Sequence, residues 1–209
     1  MLAVGSQRGR VRLLDSATGE ARLDSQLHST AVTCISLSSD GSTAASAGDD
    51  FEGAWKLWST ADGADTLSTN SHHGTGGTIG CVMAIAISPC GRTFATGYED
   101  GAVCTWDLEA TGVEEPRSCL HVHSQMISSL SFAPPIGARL ASSDPSGRII
   151  VLDVERGTIL RILDEHHPSV GAVHSVAFSP DGRHIVSAGR ALLLWDADTG
   201  LTTLNLVLP

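Results

Sequence analysis

A recurring pattern of 45 to 50 residues limits what this chain can fold into more than any other feature, because a period of that length marks a repeat architecture. Turn segments LSSDG, ISPCG, FAPPIG and FSPDG end at Gly41, Gly91, Gly137 and Gly182, which are 50, 46 and 45 residues apart. A second series follows them in step: WKLWS at 55–59, VCTWD at 103–107, IIVLD at 149–153 and LLLWD at 192–196. An earlier member, VRLLD at 11–15, has no turn segment before it. Two independent landmarks sharing one period leave little room for coincidence.

Every period divides in the same way. An apolar run such as CVMAIAIS (81–88) ends in a Pro/Asp-Gly turn, where Gly and Asp accept the positive φ of a tight reversal. A second run follows, as in HIVSAG (184–189), then a polar turn, a third run ending in Trp-Asp or a variant, and a fourth such as TILRIL (158–163). Four short strands per period predict an antiparallel meander. Runs apolar on both faces predict sheets held between neighbours, as in a ring of stacked sheets. With aromatics at only 4%, the core must come mainly from Val, Ile, Leu and Ala.

These residues resemble the WD-repeat β-propeller family. The likeness rests on Trp106-Asp107, Trp195-Asp196, the S-P-D-G of Ser179 to Gly182 and the S-P-C-G of Ser88 to Gly91. It implies an all-β fold and a buried tetrad per blade: a His before the first strand, a Ser or Thr in the second, an Asp in the next turn and the Trp of the third. Such a tetrad gives the indole N–H a buried partner. Carried over by position, it implies His73, Thr96, Asp100 and Trp106 in one blade, and His28, Ser46, Asp50 and Trp58 in another. The 123–152 repeat keeps His123 and Ser142, with Ser146 and Leu152 in the Asp and Trp places. The last keeps Ser187 and Trp195 without an Asp, and the first offers only Val4, Arg8 and Leu14.

The expected organisation is one propeller segment over 1–209: a partial blade at 1–27, lacking its innermost strand, then blades at 28–71, 72–122, 123–166 and 167–209. Such a segment is expected to be an incomplete ring, with the missing blades supplied by the rest of a longer chain.

A net charge of −10 argues against a nonspecific nucleic-acid binder, which needs Lys and Arg on phosphates. The longest apolar stretch, Cys81 to Ile87, is far too short to span a membrane, and MLAVGSQRGR is too short an apolar run for a signal peptide. The expected location is intracellular, the cytoplasm first, with nuclear, cytoskeletal or ciliary sites as alternatives. Five cysteines without a C-x-x-C pair read as small apolar residues.

No catalytic, cofactor or metal set is expected. His72-His73 and His166-His167 lie in different blades without carboxylate or thiolate companions at ligand spacing. GTGGTIG fits neither phosphate-binding pattern and lacks the Lys. Insertions instead collect on the rim of second-to-third turns and inter-blade links: FEGAW (51–55), SHHGTGGTIG (71–80) and DEHHPSVG (164–171). Phe51, Trp55, His72, His73, His166 and His167 are therefore the expected partner-binding residues, with Trp55 either an exposed anchor or packed over the blade edge. The resemblance implies a non-catalytic scaffold for proteins or peptides. The alternatives are a structural segment of a long multi-propeller cytoskeletal or ciliary protein, and an enzyme with charged groups at the channel.

Overall fold

In the computed structural model, residues 1–49, 55–69, 80–108, 115–163 and 172–207 are described. They form nineteen strands and no helix. β1 (Leu2–Gly5), β2 (Arg10–Leu14) and β3 (Ala21–Gln26) make a three-stranded first sheet. Four four-stranded sheets follow: β4 (Val32–Leu37) to β7 (Asp65–Thr69), with β5 (Thr43–Gly48) and β6 (Trp55–Ser59); β8 (Val82–Ile87) to β11 (Ser118–His121), with β9 (Thr93–Tyr98) and β10 (Ala102–Asp107). The last two are β12 (Ser129–Phe132) to β15 (Thr158–Leu163), with β13 (Arg139–Ser143) and β14 (Ile149–Asp153), and β16 (Val173–Phe178) to β19 (Thr202–Val207), with β17 (His184–Gly189) and β18 (Ala191–Asp196). Within every sheet each strand pairs antiparallel with the next in sequence.

The sheets stack in chain order through their first strands, β4 on β8, β8 on β12 and β12 on β16, and do not close a ring. In the first sheet β1 contacts β4 as β5 contacts β8 and β13 contacts β16. It therefore occupies the second-strand place, and this sheet has no innermost strand. Four complete blades and one partial blade result.

Burial follows from stacking. The third blade lies between two neighbours, and its central strands are buried on both faces: all six residues of β9 and the first five of β10. End blades are buried on one face only. β2 alternates exposed Arg10 and Arg12 with buried Val11 and Leu13, and β18 alternates buried Ala191, Leu193 and Trp195 with half-buried Leu192, Leu194 and Asp196. Strand side chains alternate faces, so a continuous apolar run needs two covers and an alternating one needs a single cover.

Side chains three apart on β6 serve two interfaces. Trp58 joins Val11, Leu13 and Ala44 between the first two blades. Trp55 points the other way, into a cluster with Val82, Phe94 and Trp106 of the third blade. A further latch recurs at the glycines before β2 and β10. Gly9 O accepts the His28 N–H at 3.0 Å and Gly101 O accepts the His123 N–H at 3.2 Å. Both glycines have positive φ, +77° and +85°, and a Cβ there would lie 2.0 and 2.2 Å from the carbonyl oxygens of His28 and His123. Only glycine allows that approach.

Candidate functional site

Polar residues at the expected tetrad positions sit between the blades. In the second blade His28 Nε2 lies 2.7 Å from Ser46 Oγ, which also accepts the Trp58 indole N–H at 3.1 Å. All three side chains are buried. In the third, Trp106 Nε1–H donates to Thr96 Oγ1 at 2.9 Å. Asp100 accepts the Ala102 N–H and lies 3.1 Å from His121 Nε2 at the blade's outer strand. Asp50 and His73 fall outside the described residues. In the last blade Trp195 Nε1–H donates to Ser187 Oγ at 2.9 Å.

The fourth blade departs from the positional reading. Ser146 does not stand in for the missing Asp; Asp144 does. His123 Nε2 lies 2.8 Å from Ser142 Oγ, and His123 Nδ1 lies 3.1 Å from Asp144 Oδ2. Neither of those last two atoms has a well-aligned hydrogen bond, so each is the other's nearest polar company. Asp144 Oδ1 meanwhile accepts from the Ser146 amide and hydroxyl, closing the turn before β14. The Asp sits two residues earlier than in the other repeats, so fixed spacing overlooked it; the DPSG turn residues at 144–147 were the available signal.

Ser142, His123 and Asp144 thus have the order of a nucleophilic triad. Ser142 is fully buried, as are the His123 and Asp144 side chains, so no substrate reaches the hydroxyl. Burial also holds His123 below the usual imidazole range, with the Asp144 carboxylate pulling the other way. This network packs blades; it does not perform chemistry.

Trp55 corrects a second expectation. It opens β6 rather than ending a surface loop, is fully buried, and packs edge-on against Phe94 and Trp106 at ring-centre distances of 4.6 and 4.9 Å. An exposed anchor is excluded; among the described residues its Nε1–H has no acceptor. Phe51, His72, His73, His166 and His167 fall outside the described residues. Among the described residues no group of three or more His, Cys, Asp and Glu could hold a metal, and no helix is long and apolar enough to cross a membrane. Cys104 and Cys119, read as small apolar residues, are opposite in register and joined as a disulfide.

A surface cleft lies on the opposite rim from the one favoured by the insertions. It measures about 210 Å³ and runs between the third and fourth blades, lined by Cys90, Arg92, Asp107, Arg117, Ile136 and Glu155 among others. Ile136 is 66% exposed at its lip, in the turn that carries the cis Pro134–Pro135 bond. Charges of both signs beside an exposed aliphatic side chain suit a polypeptide better than a small apolar ligand.

Blades stacked by buried His, Ser/Thr and Trp side chains, with Trp-Asp closing the third strand, define a WD-repeat propeller segment. The model of the WD domain, G-beta repeat, matches residues 23–59, 65–107 and 157–196, and the chain belongs to that family. Each match starts at the outer strand of one blade and ends in the third strand of the next, so sequence repeat and blade are offset by one strand. The unmatched stretch 108–156 carries Leu152-Asp153 and the PPIG turn in place of Trp-Asp and S-P-D-G.

WD repeat-containing protein SL1-17 of Schistosoma mansoni is 28% identical over 184 residues, 87% of this chain and 54% of that protein. Transducin beta-like protein 3 of Bos taurus is 29% identical over 192 residues, 90% of this chain and 22% of that protein. Apoptotic protease-activating factor 1 of Rattus norvegicus is 29% identical over 156 residues, 72% of this chain and 12% of that protein. The chain thus spans from an eighth to about half the length of these relatives.

Proposed function

We propose that this chain is a non-catalytic scaffold that presents a propeller rim to protein or peptide partners. The observation carrying this reading is where the polar groups go. His28, Ser46, Thr96, His123, Ser142, Asp144 and Ser187 are consumed by blade packing, whereas the cleft at Arg92, Arg117 and Ile136 stays open to solvent. Membership of the WD-repeat family, whose modules mostly bind other proteins, supports it, although a fold alone does not specify a function. The test is capture with the full chain as bait, compared with an Arg117→Glu/Ile136→Asp variant. A partner that binds the wild type as a purified protein and loses the variant supports the cleft. Equal binding to both places recognition elsewhere.

A second reading makes these blades a segment of a larger propeller array, such as the cytoskeletal or ciliary alternative above. One feature favours it: the outward face of the last blade repeats the composition of faces that are covered elsewhere. Ala177, Val186, Leu194 and Leu204 lie side by side on it, as do Ser175, Ala188, Leu192 and Leu206. Apolar sheet faces of this kind seek a cover. Strong hydrogen-exchange protection along β17 to β19 in the intact protein supports a covering blade, and fast exchange there opposes it.

A further inference from the structure

The outermost strand of a blade has one unpaired edge, a template for another strand unless charge or brevity guards it. Four of the five outer strands have a guard or a local reason for exposure. β3 carries Arg22 and Asp24, engaged with Asp15 and with Arg10 and Arg12. In β7, Asp65 pairs with Lys56 at 2.9 Å. β11 is only four residues long. β19 exposes Leu204 and Leu206, but it belongs to the blade whose outward face is uncovered.

Among the described residues β15 has neither a paired charge nor brevity nor an uncovered face to account for its exposure, and its bulge is one it shares with β3, β7 and β19. Its blade lies between two neighbours, yet Ile159, Leu160 and Ile162 are 47%, 37% and 49% exposed. Its one charge, Arg161, is folded back: the guanidinium donates to the Asp198 carbonyl at 3.1 and 3.2 Å and to the Leu160 carbonyl at 2.8 Å. A bulge opposite Val151 and Leu152 brings Ile159 and Ile162 to the same face.

We propose that β15 is a homodimerisation edge, pairing antiparallel with β15 of a second copy of this chain. The order Ile159-Leu160-Arg161-Ile162 makes the strand self-complementary. Centred between Leu160 and Arg161, the pairing sets Ile159 opposite Ile162 of the second copy, twice by symmetry, and Arg161 opposite Leu160. Apolar cross-strand pairs form and no like charges face each other. A two-fold contact of this kind uses the same patch on both copies and closes on itself. A six-residue edge buries less than the roughly 1,600 Å² of a standard interface, so association depends on concentration.

Light scattering on the eluting full chain over a concentration series tests this. The wild type should move from monomer to dimer mass. Ile162→Lys and Ile159→Lys should stay monomeric with unchanged melting temperature, since both positions are exposed. A chain carrying Ile159→Cys and Ile162→Cys, with Cys90→Ser to remove an exposed thiol, should form a reducible dimer under mild oxidation in dilute solution. That cross-link decides the matter even where another face drives larger association. A wild type monomeric throughout, a dimer that survives Ile162→Lys, or absence of the cross-link overturns the proposal.

Discussion

Asp144 Oδ2 lies 3.1 Å from His123 Nδ1, with both side chains shut off from solvent and Ser142 Oγ on the far side of the imidazole ring at 2.8 Å. One carboxylate therefore serves two ends: it accompanies a buried histidine and ties the turn into β14. Asp144→Ala should cost about 1–3 kcal/mol, because the turn amides lose their acceptor and the buried imidazole loses its charged neighbour together. Asp144→Asn keeps the turn bonds and should cost less. Urea unfolding of both variants checks the order, and equal losses would show that the histidine contact, not the turn, carries the effect.

His123 should make stability fall with pH over a definite window. Burial lowers its pKa in the folded state below the ordinary 6.5. As pH drops, the unfolded chain takes up the proton first. The contribution of a neutral buried His123 is thus complete above 6.5 and is lost progressively below it. His123→Gln should unfold at a less pH-dependent temperature between pH 7.5 and 5.5 than the wild type. Parallel curves for the two proteins would remove His123 from the account.

Turn aspartates act in a lower window. Asp40 accepts from Ser38 and from the Ser42 amide and hydroxyl, which holds its pKa at about 2 instead of 3.8. Asp181 in the matching turn is lowered by Ser179 and the Arg183 amide. A lowered carboxylate contributes stability that is present above the unfolded value and lost as pH falls through the folded one. Asp40→Asn should therefore narrow the gap between melts at pH 5 and pH 2.5, and an unchanged gap would contradict the assignment.

Buried tryptophans differ in what their N–H groups do. Trp106 donates at 2.9 Å to Thr96, whereas the Trp55 indole has no acceptor among the described residues. Replacing either by Ala should cost about 3–5 kcal/mol through the cavity left behind. Replacement by Phe separates them: Trp106→Phe removes the indole bond to the buried Thr96 hydroxyl, while Trp55→Phe removes a buried donor with no acceptor among the described residues. Trp55→Phe should be the milder change in thermal melts, and the reverse order would indicate that packing shape outweighs the polar term.

How far the sequence reached depends on whether spacing or environment set the outcome. Strand number, order and pairing were legible because the Pro/Asp-Gly turns and the Trp-Asp ends fix register locally. Ser46, Thr96 and Ser187 were legible because each stands five residues after a turn glycine, Gly41, Gly91 or Gly182, in the strand beside a tryptophan that needs an acceptor. Asp144 escaped because a shorter path to the same histidine replaced the usual spacing. Trp55 escaped because its neighbours FEGA read as a loop, while the feature that decides its burial, the aromatic pair Phe94 and Trp106, lies about 40 to 50 residues on in the next blade. The cleft at Ile136 needs two blades in place before it exists.

Hydroxyls on the innermost strands stitch one blade to the next, and their distribution leads to a local prediction. Between the second and third blades, Thr33 Oγ1 donates to the Val82 carbonyl at 2.8 Å and Ser36 Oγ accepts the Ile87 N–H at 3.2 Å. Between the fourth and last, Ser128 Oγ donates to the Val173 carbonyl at 2.8 Å and Ser131 Oγ accepts the Phe178 N–H at 3.0 Å. Strand β8 has Met83, Ala84 and Ala86 at its corresponding positions, so the seam to the fourth blade lacks these hydroxyl bonds and rests on packing, with Gly97 admitting Ile127, and on backbone bonds from the Ile127 N–H to Tyr98 O at 3.0 Å and from the His123 N–H to Gly101 O at 3.2 Å. A Cβ at Gly97 would lie 2.5 Å from Ile127 Cγ2. Ser131→Ala should therefore raise amide exchange at Phe178 while leaving the Ile87 amide unchanged, at a global cost of about 1 kcal/mol. Gly97→Ala should instead loosen the third-to-fourth seam, by a steric route that no hydrogen bond can compensate. Amide exchange followed residue by residue distinguishes the two, and uniform acceleration across all blades in Ser131→Ala would show that the seams do not act separately.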